Sequence, residues 1–220
     1  MIDVSTFVGA LTTLVAAFAG SWFAYKFSDR DRKRQLEDAQ VAAANRAIFT
    51  LMRQFNTLTV FKERIIAPKR ADALRLLNMR ATAPMVYEDV HVDLDALTFL
   101  LETEHREVLG ELMVEDERFH ATIQAINMRS KLFIEVVQPI LVAAGVREGD
   151  EATPAAVETM LGYVTYRELQ RATDQAISFV DSTLGSSQAM ALQLRGVFRK
   201  LYPKRTFIRF TAKGTSPGVA

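Results

Sequence analysis

The sequence contains no cysteine. That absence excludes a disulfide framework, a thiolate-bound zinc, a cysteine nucleophile and any thiol-linked lipid anchor. Glycine and proline are also scarce, 10 and 6 in 220 residues, which excludes a collagen-like repeat and a Pro/Gly-rich disordered chain. Their placement is informative: residues 22–109 hold no glycine, and only Pro68 and Pro84 interrupt them. Such a stretch favours long helices. Motifs that carry chemistry are missing too. No Gly-rich phosphate loop precedes a helix, and there is neither a Gly-x-Ser-x-Gly elbow nor a His-Glu-x-x-His pair. No catalytic residue and no cofactor follow from the sequence.

What is present begins with an uneven distribution of apolar residues. Residues 4–25 form a run of 22 without a formal charge, in a chain that is 24% charged. As a helix rising about 1.5 Å per residue, this run matches a hydrocarbon core of about 30 Å, so a transmembrane span is expected. Trp22, Phe23 and Tyr25 gather at one end, where amphipathic rings favour the headgroup region. Five basic side chains follow: Lys26, Arg30, Arg32, Lys33 and Arg34. Positive charge after the span predicts an uncleaved, single-pass anchor in the plasma (inner) membrane, with the N-terminus outside and the remainder cytosolic. Ala17-Phe18-Ala19 could serve as a signal-peptidase site, but a signal peptide carries its positive charge before the apolar region.

Within the span, Gly9, Thr13, Ala17 and Ser21 recur every four residues, with Ala16, Gly20 and Ala24 in a parallel row. Small residues at this spacing let helix backbones approach closely, giving a face for homo-oligomerisation.

Beyond the basic flank, Val41, Ala44, Ile48, Leu51, Phe55, Leu58 and Ile65 follow steps of three and four, with Lys62 in the missing slot. One helix from Val4 to about Ile66, closed by Pro68, is expected. A short basic helix (69–80) and a loop (81–92) come next. A helix over 94–102, capped by Asp93 or Asp95, then leads to a longer one carrying Leu109, Leu112, Phe119, Ile123, Ile126, Phe133, Val137 and Ile140. Asp116 and Ser130 interrupt that stripe, either fixing register or lying solvated at its edge. Pro139 should bend or end the helix, and Gly145 should cap it. Thr153 and Pro154 open a short helix that Gly162 closes; two more are expected over 165–184 and 187–202, separated by Gly185. Residues 203–220 read as a basic tail whose Phe207, Ile208 and Phe210 could dock. The expected fold is all-α: an anchor (1–27) continuing into an antiparallel helical bundle (28–202) with coiled-coil-like stripes.

The net charge of +1 conceals sorted blocks. Residues 26–80 hold 13 basic and 6 acidic side chains, residues 85–120 hold 2 and 11, and residues 195–220 hold 7 and none. The first block suits anionic lipid headgroups. Pairing of the acidic block with the basic ones inside the bundle is the simplest account of the rest. Nucleic acid is not an expected partner.

One constellation suggests chemistry. All three histidines have a glutamate three positions earlier: Glu88 and His91, Glu102 and His105, Glu117 and His120. On a helix that spacing shares a face, and di-iron carboxylate bundles use it twice, with further glutamates from two other helices. His105 and His120, if on one helix, would stand about 22 Å apart. His91 and His120 could meet only if the 81–92 loop folded back. The leading expectation is a membrane-anchored protein that acts by binding an unidentified protein or the membrane, as a scaffold or a signalling or regulatory subunit. A di-metal oxidoreductase and an oligomeric membrane effector are the alternatives.

Overall fold

A computed structural model of the chain describes residues 4–87, 89–146 and 152–210, with side chains from residue 18 onward. Among the described residues the fold is all-helical, without strands. Helix α1 runs unbroken over Val4–Phe61, as expected for a segment with no proline and two glycines near its start. Among its described side chains the first buried one is Ala43. From there Ala44, Ile48, Leu51, Phe55 and Leu58 enter the core on the anticipated stripe.

Beyond Phe61 the stripe departs from the simple pattern. A π-helical turn, Lys62–Ile66, inserts one residue into the helical phase. Phe61 and Ile66, five apart, are both buried, while Lys62 stays at the surface and pairs with Asp181 at 2.8 Å. Pro68 follows in a 3-10 turn, Ala67–Lys69. The same grammar recurs later. Helix α3, Glu107–Leu132, passes into a π turn, Phe133–Val137, just before Pro139, and α4 (Gln138–Ala143) restarts with that proline in its first turn. Proline lacks the donor for the carbonyl four residues back and crowds it, so the helix widens instead of continuing. Gly145, at φ +74°, then ends α4, with the Val146 amide donating to the Leu141 carbonyl.

Of the expected basic helix only α2, Arg75–Asn78, forms. The 94–102 segment is a 3-10 helix, Asp95–Glu102, and Asp93 accepts the Ala96 amide at 3.1 Å as its cap. Helix α5, Pro154–Leu161, begins as anticipated: the Thr153 hydroxyl accepts the Ala156 amide, and Gly162 at φ +76° closes it. Where two helices were expected over 165–202, a single helix α6, Tyr163–Leu201, runs through Gly185. Interior glycine costs roughly 1 kcal/mol relative to alanine. The stripe that continues across it, through Val180, Leu184, Met190, Leu194 and Phe198, buries far more.

The packing is not a simple up-and-down bundle. One apolar cluster joins Ala43 to Leu51 of α1, Val108 and Leu112 of α3, and Met190 to Phe198 of α6. The next joins Phe55 to Ile66, Phe119 to Ile126, and Ala176 to Leu184. Helices α1 and α3 therefore point the same way and α6 is antiparallel to both, which corrects the expectation of alternating helices. A parallel pair needs a long return, supplied by residues 67–106. Its irregular stretch passes Met79 in the second cluster and Val92 in the first, taking the place a fourth helix would hold.

The segment after α6 is not a free tail as far as Phe210. Phe207 is buried and stacks on Phe198 at 5.7 Å, and Phe210 meets Phe55 edge-on at 4.9 Å. Asn45 accepts the Ile208 amide at 3.0 Å, while Arg205 pairs with Glu37 at 2.8 Å and Asp38 at 2.6 Å. Residues 211–220 lie outside the described residues.

Candidate functional site

The crossover poses a problem in hydrogen bonding. A half-buried non-helical chain packed along helices has no ladder to satisfy its backbone groups, and unpaired groups shielded from water are costly. Side chains from the flanking helices meet the need. Asn127 on α3 accepts the Met85 amide and donates to the Met85 carbonyl, both at 2.8 Å. Ser130 accepts the Thr82 amide at 3.2 Å. The Arg129 guanidinium, buried against the Phe133 ring, donates to the carbonyls of Leu76 and Met79 at 2.8 and 2.6 Å. Burial pulls its pKa down to about 10. Gln54 on α1 reaches across to the Val90 carbonyl at 3.0 Å.

Asp116 belongs to this set and does more. It lies on the inward face of α3, buried, three residues before Phe119 and four before His120. Its Oδ1 accepts from Gln54 at 2.6 Å and from the Val92 amide at 3.2 Å. Its Oδ2 faces His91 Nδ1 at 2.7 Å. The His91 ring in turn stacks on His120, centroids 3.8 Å apart with a 22° tilt. Nitrogen and oxygen ligand atoms of His91, Asp116 and His120 all lie within 4.8 Å of one another. Nε2 of His120 and Oε1 of Gln54 are buried without a hydrogen-bond partner. Burial, then the neighbouring His91, lowers the pKa of His120 below its ordinary 6.5, against the opposing pull of Asp116 and the Val90 carbonyl. His120 also borders an open groove of about 640 Å³, walled by Pro84, Met85, Tyr87, Ile123 and Ile134.

The histidine pattern in the sequence was thus partly informative and its glutamates were not. His91 and His120 converge because the loop does fold back, but the carboxylate between them is Asp116 rather than a partner three positions earlier. Glu102, at the end of the 3-10 helix, is exposed, and Glu117 points to solvent because a residue next to Asp116 on α3 faces about 100° away from it. His105 stands apart beside Glu104, 3.5 Å away. Glu88 lies outside the described residues. A two-metal set of four carboxylates does not assemble among the described residues, where one group of three ligands is brought together. Asp116 had a signal, as a polar break in an apolar stripe. Gln54, Asn127 and Arg129 had none, because their role depends on a chain segment far away in sequence.

Ion pairs among the described residues link the blocks in more than one way. Asp89 of the acidic block meets Arg53 at 3.9 Å, while Arg70 and Lys62 converge on Asp181 and Arg75 on Asp174, both on α6. Glu115 instead accepts the hydroxyls of Ser186 and Ser187 at 2.7 and 2.9 Å, joining α3 to α6.

At the N-terminal end, Lys26, Arg30, Arg32, Lys33 and Arg34 are exposed, as are Gly20, Ser21 and Ala24 of the small-residue rows. Gly9, Thr13, Ala16 and Ala17 have no described side chains. No helix is long and apolar enough to cross a membrane among the described residues, and most of the expected span, 4–17, is described in backbone only. The chain matches no protein-family model, and comparison with curated proteins and solved structures finds no significant similarity.

Proposed function

We propose that the protein is a membrane-tethered helical bundle that acts by binding, with a single N-terminal transmembrane helix and the bundle on the cytosolic side. The observation that supports this reading is the segment of α1 ahead of the bundle. Phe18, Trp22, Phe23, Tyr25 and Phe27 are each 55–74% exposed, and among the described side chains from residue 18 onward burial begins at Ala43. An exposed aromatic band, which in water costs free energy, suits the headgroup layer, and the basic collar that follows suits anionic lipid. Residues 26–42, between the inner edge of the span and the first buried side chain described, would hold the core of the bundle about 25 Å off the membrane, at about 1.5 Å per residue. The stand-off leaves the bundle surface accessible to other proteins.

Flotation with vesicles tests the tether. The protein should float with phosphatidylglycerol-containing vesicles and resist alkaline carbonate, and a C-terminal alkaline phosphatase fusion should be inactive in cells. Extraction by carbonate would reduce the span to surface attachment. Failure to float would remove the membrane from the account, and an active fusion would invert the orientation.

A further inference from the structure

We propose that His91, Asp116 and His120 form a binding site for a divalent transition-metal ion of the zinc–iron type, where the crossover meets α3. Two imidazoles and one carboxylate are donors suited to zinc, iron(II), cobalt or manganese, whereas calcium and magnesium favour sites made of oxygen. Three protein ligands leave the remaining positions to water, and the site can be reached, because the His91 side chain is 57% exposed.

The geometry needs little adjustment. Ligand atoms about 2.1 Å from one ion stand about 3–3.5 Å apart. The present atoms lie within 4.8 Å, and one pair is already at 2.7 Å. That pair shares a proton which the ion would displace, so that His91 Nδ1 and Asp116 Oδ2 turn from hydrogen-bond partners into co-ligands. The outer shell is in place as well. Gln54 and the Val92 amide hold Oδ1 of Asp116, leaving Oδ2 directed at the imidazoles. Bonds of this kind orient a ligating carboxylate and raise metal affinity.

A structural role alone explains less. Asp116 could simply satisfy the Val92 amide, but that purpose needs neither a second histidine stacked on the first nor a buried His120 Nε2 without a partner. An acidic or histidine-rich surface patch would not be held by a fully buried glutamine.

The test uses the full-length protein in detergent, stripped with chelator and titrated with Co²⁺, then with Zn²⁺. One equivalent of Co²⁺ should give a visible ligand-field absorption that Zn²⁺ abolishes. His91→Ala, at an exposed position of the crossover, should weaken Zn²⁺ binding by about tenfold or more with its helical circular dichroism unchanged. His105→Ala, outside the cluster, should bind as the wild type does. No saturable one-to-one binding would overturn the proposal, and so would equal affinity of His91→Ala and wild type. Asp116→Asn supplies a second reading if folded: lost binding supports the site and retained tight binding overturns it.

Discussion

Oδ1 of Asp116 and Nε2 of Gln54 meet at 2.6 Å, joining α3 to α1 through the interior although the residues are 62 apart in sequence. The crossover runs between them, its Val90 carbonyl bonded to Gln54 and its Val92 amide to Asp116. These two side chains fix where the non-helical chain sits between two parallel helices.

Gln54→Leu keeps most of the volume and removes both donations. One of them goes to a carboxylate, so the loss should be about 2–4 kcal/mol, read as a lower urea midpoint at unchanged slope. A change under about 0.5 kcal/mol, the usual scale for surface positions, would mean that the crossover is not held from α1.

Arg129→Met should cost about 2–4 kcal/mol, since two buried carbonyls at the end of α2 lose their donor. Arg129→Lys should recover only part of it, because a single ammonium does not reproduce the two-carbonyl fork. Amide exchange at Met79, whose amide closes α2 onto the Arg75 carbonyl, should quicken in both variants.

The two glycines at helix positions should respond oppositely to alanine. At Gly185 an added Cβ meets nothing within 4 Å, and the backbone is helical. Gly185→Ala should raise stability by about 0.5–1 kcal/mol. Gly162→Ala, at φ +76°, should lower it by roughly 1 kcal/mol, although the space beside it is equally open. Thermal unfolding of the two variants checks the pair of signs.

Asp181 sets a pH dependence. Burial opposes its charge, but hydrogen bonds from Arg70 and Lys62 prevail and hold its pKa below the ordinary 3.8. A carboxylate with a lowered folded-state pKa contributes stability that is complete above the unfolded value and is lost as pH falls through the folded one. Asp181→Asn should therefore be less stable than wild type at pH 7, and the gap should close as pH drops below about 3.8. Urea midpoints across that range measure it; a gap independent of pH would contradict the assignment.

Phe207→Ala tests whether the segment after α6 belongs to the fold. Removing a buried ring stacked on Phe198 should cost about 3 kcal/mol. A free tail would give no change.

Much of the helical content was legible because it rests on local rules. Missing glycine and proline made α1 continuous, Thr153 and Gly162 bounded α5, and periodic apolar residues marked the inward faces of α1, α3 and α6. Gly185 misled because an exposed glycine weighs little against a stripe buried on both sides of it. The π turn after Phe61 was hidden, since Lys62 looked like a gap in the stripe rather than the start of an inserted residue.

The sequence by itself determined the helical class, the continuity of α1, the ends of α5, the uncharged N-terminal run with its basic flank, and the histidine pattern. Each of these follows from neighbours within a few turns of chain. Only the tertiary structure decided that α1 and α3 are parallel, that an extended crossover fills the fourth place, and that His91 meets His120 over Asp116 instead of a glutamate. Those outcomes depend on which backbone groups need partners once a loop packs against helices, a demand that arises only when distant segments are brought together.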